Sequence, residues 1–178
     1  MSEIMTHSKK MFDPVNPSAE QIDIGDIAHS LSLLCRANGH FPHFYSVAQH
    51  CLNCMHEAAA RGYSKRIQLG CLLHDASEAY LSDVTRPVKA LLPQYREVEK
   101  GLQDAIFDKW ISPALSQEEL RHIFLIDDEI LWFEFSELMD YALDDEEPMF
   151  AAVADVACRP FEEIEAAYVR AFYQFFEK

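Results

Sequence analysis

The chain has 178 residues, 49% of them apolar and 12% aromatic, and carries a formal net charge of −15. That length and apolar share suit one domain with its own core, and no apolar run is long enough to cross a bilayer. So acidic a surface repels nucleic-acid backbones, so long DNA or RNA is not an expected partner, whereas a small phosphate ester needs only one locally positive pocket.

Five cysteines without the spacing of a disulfide framework read as reduced thiols in a cytoplasmic protein. Met1–Lys10 lacks the apolar stretch of a signal or transit peptide. Residues 1–20 read as an N-terminal tail and lead-in segment, with Pro14 and Pro17 blocking helix. Residues 21–178 read as one all-α helical bundle.

Ile24, Ile27, Ala28, Leu31, Leu34 and Cys35 recur at helical spacing and predict a first helix from about Asp23 to Ala37, ended by Asn38-Gly39. A loop rich in aromatics and imidazoles follows, with His40 and His43 in it. Ser46-Val-Ala-Gln49 is a capping-box pattern, opening a second helix that carries His50 and ends near Arg61-Gly62. Ser64 caps a third, which the pattern continues to about Tyr80. After Pro87 and Pro93, Tyr95 to Trp110 forms a fourth. Ser116-Gln-Glu-Glu119 is a second capping box, opening a long fifth helix whose stripe runs Leu120, Ile123, Phe124, Asp127, Ile130, Leu131, Glu134, Leu138. Asp128 and Glu129 fall on its solvent side. The acidic run Asp144–Pro148 reads as a solvated loop. Arg159-Pro160 starts a last helix, with Glu162 and Glu163 favourable to its dipole and a buried face of Phe161, Ile164, Tyr168, Phe172 and Phe175. This apolar helix leaves assembly into a homo-oligomer open. No strand pattern of useful length is present.

The chemistry concentrates in Cys71-Leu-Leu-His74-Asp75-Ala-Ser-Glu78-Ala-Tyr-Leu-Ser-Asp83. On a continuous helix His74, Asp75 and Glu78 share a face, and Leu72 and Leu73 set that face inside the protein. Buried together as bare charges they carry a heavy desolvation cost, which a divalent cation or a tight hydrogen-bond network offsets. Helix phase also turns His50 and Asp127 inward. Two His and two Asp from three helices form a mixed nitrogen and oxygen set, suited to Mn, Fe, Co, Ni or Zn rather than to Ca or Mg. Cys51 and Cys54 have C-x-x-C spacing without a second pair and read as packing cysteines. Glu134 reads either as a group that supports a metal ligand from behind or, the favoured reading, as one that ties down a backbone or an Arg.

His50, His74-Asp75 and Asp127 resemble the H…HD…D signature of the HD-domain metal-dependent phosphohydrolases, over roughly Ile24 to Leu138. Tyr45-Ser-Val-Ala-Gln-His50 and His74-Asp-Ala-Ser-Glu78 resemble the small nucleotide-cleaving branch, which holds bacterial 5′-deoxynucleotidases and phage-type deoxyadenosine triphosphohydrolases. Asp83-Val-Thr-Arg-Pro-Val-Lys89 resembles that branch's G-D-x-P-x-P-V-K segment, with Ser82 in place of Gly and Arg86 in place of an often small residue. The resemblance implies an HD-type helical domain over residues 21–178 and a bound divalent transition metal held by His50, His74, Asp75 and Asp127. It implies hydrolysis of a nucleotide at its alpha phosphorus, with a deoxynucleotide 5′-phosphohydrolase ahead of a triphosphohydrolase. A non-catalytic metal- or nucleotide-binding module is the reading from another class. Glu78 is expected to orient or deprotonate the attacking water and Asp83 to assist at the leaving group. Arg36 and Lys89 are the expected phosphate clamps, Arg36 ranking first because related enzymes use an Arg before the first His.

Overall fold

The computed structural model describes residues 3–143 and 147–177. The acidic run expected as a solvated loop lies in part, at residues 144–146, outside the described residues. The architecture is all-α: helices α1 (Ile24–Leu33), α2 (Val47–Ala60), α3 (Lys65–Leu73), α4 (Glu78–Leu81), α5 (Arg86–Lys89), α6 (Pro93–Trp110), α7 (Gln117–Met139) and α8 (Phe161–Tyr173), with a 3-10 turn at Arg36–Gly39. No helix is long and apolar enough to cross a membrane among the described residues.

The N-terminal segment is not loose. Strands β1 (Ile4–Met5) and β2 (Met11–Phe12) pair antiparallel with Ile4 opposite Phe12. Phe12 is fully buried and stacks on Tyr80, ring centroids 4.1 Å apart. Between the strands the backbone N–H and hydroxyl of Ser8 both donate to the Asp26 carboxylate, at 2.6 and 2.8 Å.

At the centre stands α2, buried on nearly every side from Val47 to Met55 and packed on α1, α3, α7 and α8. A helix so enclosed must find a partner for each polar side chain it carries. Ser46 caps it as the sequence predicts, its hydroxyl accepting from the Gln49 N–H at 3.2 Å. Gln49 does not reach back to complete the box. Its side chain donates instead to the Asp155 and Ala157 carbonyls, at 2.8 and 2.9 Å. Four residues on, Asn53 accepts from the Asp155 N–H at 3.0 Å. Another four on, Glu57 accepts from the N–H groups of Ala151 and Ala152 and pairs with Arg61 at 2.6 Å. This polar row, repeating every four residues, straps the segment before α8 onto α2.

Two helix boundaries differ from the periodicity. α1 stops at Leu33 rather than near Ala37, because Leu34 and Cys35 are extended and Cys35 forms a β-bridge with Ser46. The bridge bonds run from the Arg36 N–H to the Tyr45 carbonyl (2.9 Å) and from the Val47 N–H to the Leu34 carbonyl (3.0 Å). α3 stops at Leu73 rather than Tyr80, since other groups claim its last carbonyls. His74 Nδ1 donates to the Cys71 carbonyl (2.7 Å), Tyr168 Oη to Leu72 (2.6 Å) and Gln103 Nε2 to Leu73 (2.8 Å). Helix ends need such substitutes when they are buried.

α7 carries the full capping box at Ser116 and Glu119. Its inner face is Ile123, Ile126, Ile130, Trp132 and Glu134, whereas Phe124 is 52% exposed, so the stripe is turned slightly from the one read in the sequence. Asp128 is exposed as expected; Glu129 is half-buried and pairs with Arg61. α8 buries Ile164, Tyr168, Ala171 and Phe172, while Phe161 and Phe175 are half-buried.

α3 packs tightly on α7 at Gly70, where a Cβ would come within 2.3 Å of Ile123 Cδ1 and 3.2 Å of its Cγ1. Ile123 is itself buried and has little space to yield. Gly70→Ala is expected to destabilise the protein by about 1–3 kcal/mol through overpacking, read from urea unfolding midpoints; an unchanged midpoint would show that Ile123 can repack.

Candidate metal centre

The break after Leu73 shapes the site. Successive residues of a regular helix point about 100° apart, so His74 and Asp75 could not both face one point from within α3. At the helix end they do. His74 Nε2 lies 3.3 Å from Asp75 Oδ2. His50, one turn into α2, brings its Nε2 to 3.2 Å from His74 Nε2 and 3.1 Å from Asp127 Oδ1. His74 Nε2 is 3.6 Å from the same Asp127 oxygen, and His50 Nε2 is 3.9 Å from Asp75 Oδ2. All four residues predicted as ligands therefore meet, from α2, the end of α3 and α7.

The tautomers follow from the outer partners. His74 Nδ1 faces the Cys71 carbonyl, which can only accept, so this nitrogen carries the proton. His50 Nδ1 donates to Glu134 Oε1 at 2.6 Å. Neutral imidazoles so held turn two nitrogen lone pairs toward two carboxylate oxygens. Four acceptor atoms facing one another are unfavourable unless positive charge sits between them. Ligands about 2.0–2.2 Å from a common cation stand roughly 3.0–3.5 Å apart, close to most of the separations here. The donor set fits a divalent transition metal.

The electrostatics agree. Burial pushes the His74 pKa down, but Asp75 and Asp127 outweigh it and hold the ring well above its ordinary value. Burial also pushes Asp127 up, yet hydrogen bonds and charge from His50 and His74 hold it well below the usual carboxylate range. Surroundings that favour a proton on these rings favour a cation between them.

Glu134 has no solvent exposure. Besides His50 it accepts from Tyr45 Oη at 2.9 Å and Arg36 Nε at 3.5 Å. It therefore fixes His50 from behind and ties Arg36 as well, the two roles that its place in the stripe suggests. Arg36 reaches the cluster, but its guanidinium is occupied there. It lies 3.3 Å from Asp75, 3.7 Å from Asp127 and 3.5 Å from Glu134, and only 10% of its side chain is exposed. The more accessible cation is Arg86, 60% exposed, which donates to Asp127 Oδ2 at 2.8 Å and pairs with Asp128 at 2.5 Å. The sequence ranks it below Arg36 on the resemblance alone, by which an Arg before the first His is the phosphate clamp.

Glu78 is 4% exposed, and its Oε2 has no hydrogen-bond partner among the described residues. Burial, then Asp75 and Asp83, push its pKa well above the usual range. Lys89 Nζ stands 3.6 Å from its other oxygen and is held by Glu99 at 2.5 Å. Asp83 is half-buried, and burial raises its pKa as well. His40 is exposed, and His43 donates to the Val156 carbonyl at 2.8 Å, which gives it a structural partner. Cys54 packs in the core as read from the sequence, and its Sγ also lies 3.5 Å from His50 Nε2, four residues earlier on the same helix face.

The fold and this cluster together define an all-α protein in which two buried His and two half-buried Asp converge. No family model matches the chain. It is 38% identical to the uncharacterized protein YfdR of Escherichia coli K12 over 126 residues, covering 71% of this chain and 68% of that protein. It is also 38% identical to an uncharacterized protein of Rhodobacter capsulatus over 114 residues, 61% of this chain and 58% of that relative. The chain belongs to the family of YfdR.

Two substitutions probe the frame of the site. Glu134→Ala leaves His50 Nδ1 and Arg36 short of a buried partner and is expected to cost roughly 3 kcal/mol or more, seen as a lower denaturation midpoint; a neutral result would mean that solvent reaches the cavity. Ser82, between Glu78 and Asp83, adopts φ 77 and ψ 154, a region nearly confined to glycine. Ser82→Gly is expected to raise stability by about 1 kcal/mol as strain relief exceeds the added chain entropy, measured in the same titration.

Proposed function

We propose that this protein is a metal-dependent phosphohydrolase of the HD-domain type that acts on small nucleotides, with deoxynucleoside 5′-monophosphates as the preferred class. The observation that carries the reading is the convergence of His50 Nε2, His74 Nε2, Asp75 Oδ2 and Asp127 Oδ1 beside a buried carboxyl, Glu78, with one uncommitted oxygen. A divalent cation held by those four residues supplies Lewis acidity: it offsets phosphate charge and makes a water more acidic.

The chain's own groups do the rest. Glu78 accepts the proton of the attacking water through its free oxygen, and burial together with Asp75 and Asp83 makes it a stronger base than an ordinary carboxylate. Asp83, also raised by burial, returns a proton to the leaving oxygen. Lys89 and Arg86 meet the non-bridging oxygens, where negative charge builds. Arg36 braces Asp75, Asp127 and Glu134 instead of leaving them to contact the substrate. The exposure of Arg86 at the rim is the observation favouring a longer phosphate chain, so a triphosphate substrate is the second reading.

The test is a panel of deoxy- and ribonucleotides incubated with Mn or Co, reading both phosphate and tripolyphosphate. Phosphate release from deoxynucleoside monophosphates is expected, tripolyphosphate release would move the assignment to the second reading, and tight nucleotide binding without turnover under any metal would make the protein a sensor. Glu78→Gln is expected to lower kcat by about 10²–10⁴-fold with metal content unchanged; equal kcat would remove Glu78 from the mechanism.

A further inference from the structure

Three thiols lie buried close to the cluster: Cys51, Cys54 and Cys71. Two of them stand in possible ligand groups, Cys51 with His74 and Asp75 and Cys54 with His50 and His74, and the one set against both imidazoles is Cys54. Its Sγ forms a group with His50 and His74 in which the ligand atoms all lie within 4.8 Å of one another, and all three residues are buried. With zinc-sulfur and zinc-nitrogen bonds of about 2.3 and 2.05 Å, tetrahedral geometry sets sulfur and nitrogen roughly 3.6 Å apart and two nitrogens roughly 3.3 Å apart. The structure has 3.5 Å from Cys54 Sγ to His50 Nε2 and 3.2 Å between the two Nε2 atoms. Asp127 Oδ1, 3.1 and 3.6 Å from those nitrogens, supplies a fourth corner. Asp75 is farther from His50, at 3.9 Å, and is engaged by Arg36.

We propose that this centre has a second coordination mode, in which Cys54 Sγ joins His50, His74 and Asp127 around a thiophilic cation of the zinc class. The inference rests on the metal-centre reading above and adds to it a ligand and a metal preference. The two modes share His50, His74 and Asp127 and differ in whether Asp75 or Cys54 completes the set. With Asp75 and without sulfur, the donors are hard or borderline and leave coordination positions for water and phosphate. With Cys54, four protein ligands close the tetrahedron, as in structural zinc sites. Zinc held that way excludes substrate, so the ion inhibits. Coordination releases the Cys54 proton to solvent, one for each ion bound, and no redox change takes place.

The chemical logic is that a thiolate selects zinc, cadmium and cobalt over manganese and magnesium far more strongly than a carboxylate does. Cys54 is buried in the hydrophobic core, and its Sγ meets His50 Nε2 at 3.5 Å.

The experiment loads the full-length protein with Co²⁺ and records its absorption, comparing the unsubstituted protein with Cys54→Ser, Cys54→Ala and Cys51→Ser. Expected is a near-ultraviolet sulfur-to-cobalt charge-transfer band together with intense visible d–d bands. The charge-transfer band should vanish in both Cys54 variants and persist in Cys51→Ser, and the preference for Zn²⁺ over Mn²⁺, measured by competition, should fall about tenfold or more in Cys54→Ser. Visible bands without charge transfer in the unsubstituted protein would overturn the sulfur mode and leave the two-His, two-Asp centre standing. A band lost only in Cys51→Ser would assign the sulfur to the wrong cysteine and equally overturn it. No Co²⁺ bound by the unsubstituted protein after dialysis would bring down the metal centre itself.

Discussion

A carboxylate with no exposure to water has to be neutralised from within the protein, and Glu134 is such a group. Its two oxygens take an imidazole N–H from α2, a phenol from the end of the loop before α2, and a guanidinium from the far side of that loop. Because each of these donors sits on a different piece of chain, satisfying Glu134 fixes α7, α2 and the bridge at Cys35 and Ser46 relative to one another. Burial raises its pKa, but His50 and Arg36 overcome that and keep it ionised, below the usual range. Losing one partner would leave a charge in the core, which is why the arrangement is all-or-none.

The same accounting extends outward. The end of α3 exposes carbonyls inside the protein, and α6 and α8 each send one side chain, Gln103 and Tyr168, to meet them. Gln103 also accepts from the Ser77 N–H at 3.1 Å, so a single amide spans both sides of the helix break. α2 spends its buried polar row on the strap ahead of α8. Helices distant in sequence are thus placed by the need to satisfy backbone groups near the cluster, and the cluster inherits its geometry from that need.

The all-α class was legible in the sequence because helical periodicity and caps report local physics: Ser46, Ser64 and Ser116 all cap where they were expected to. The inward placement of His50, His74, Asp75 and Asp127 was legible for a related reason, since polar residues on apolar stripes stand out. Other features were set by long-range contacts that carry no periodic trace. The ends of α1 and α3 are decided by a bridge 11 residues long in sequence (Cys35 to Ser46) and by side chains from other helices. His74 and Glu78 meet the site not along a continuous helix, as their spacing implied, but across its interruption. Arg36 was recognised as a site residue, yet its engagement by three acids depends on folds of the chain that no local pattern records. Cys51 and Cys54 pack in the core as their helical setting implied, while the 3.5 Å approach of Cys54 Sγ to His50 Nε2 depends on rotamers that no sequence pattern records.

The bridge at Cys35 and Ser46 has a further consequence. It ties Arg36 to Tyr45, so the residues delivering donors to Glu134 are held as a pair while the chain between them makes its excursion. In that excursion Ala37 and Asn38 are left-handed, φ 51 each, and Asn38, Gly39 and His40 are exposed. Insertions or deletions confined there would alter the outer rim without displacing either end. The arc can thus change in length and sequence while the donors to Glu134, and with them the placement of the His50 imidazole, stay as they are.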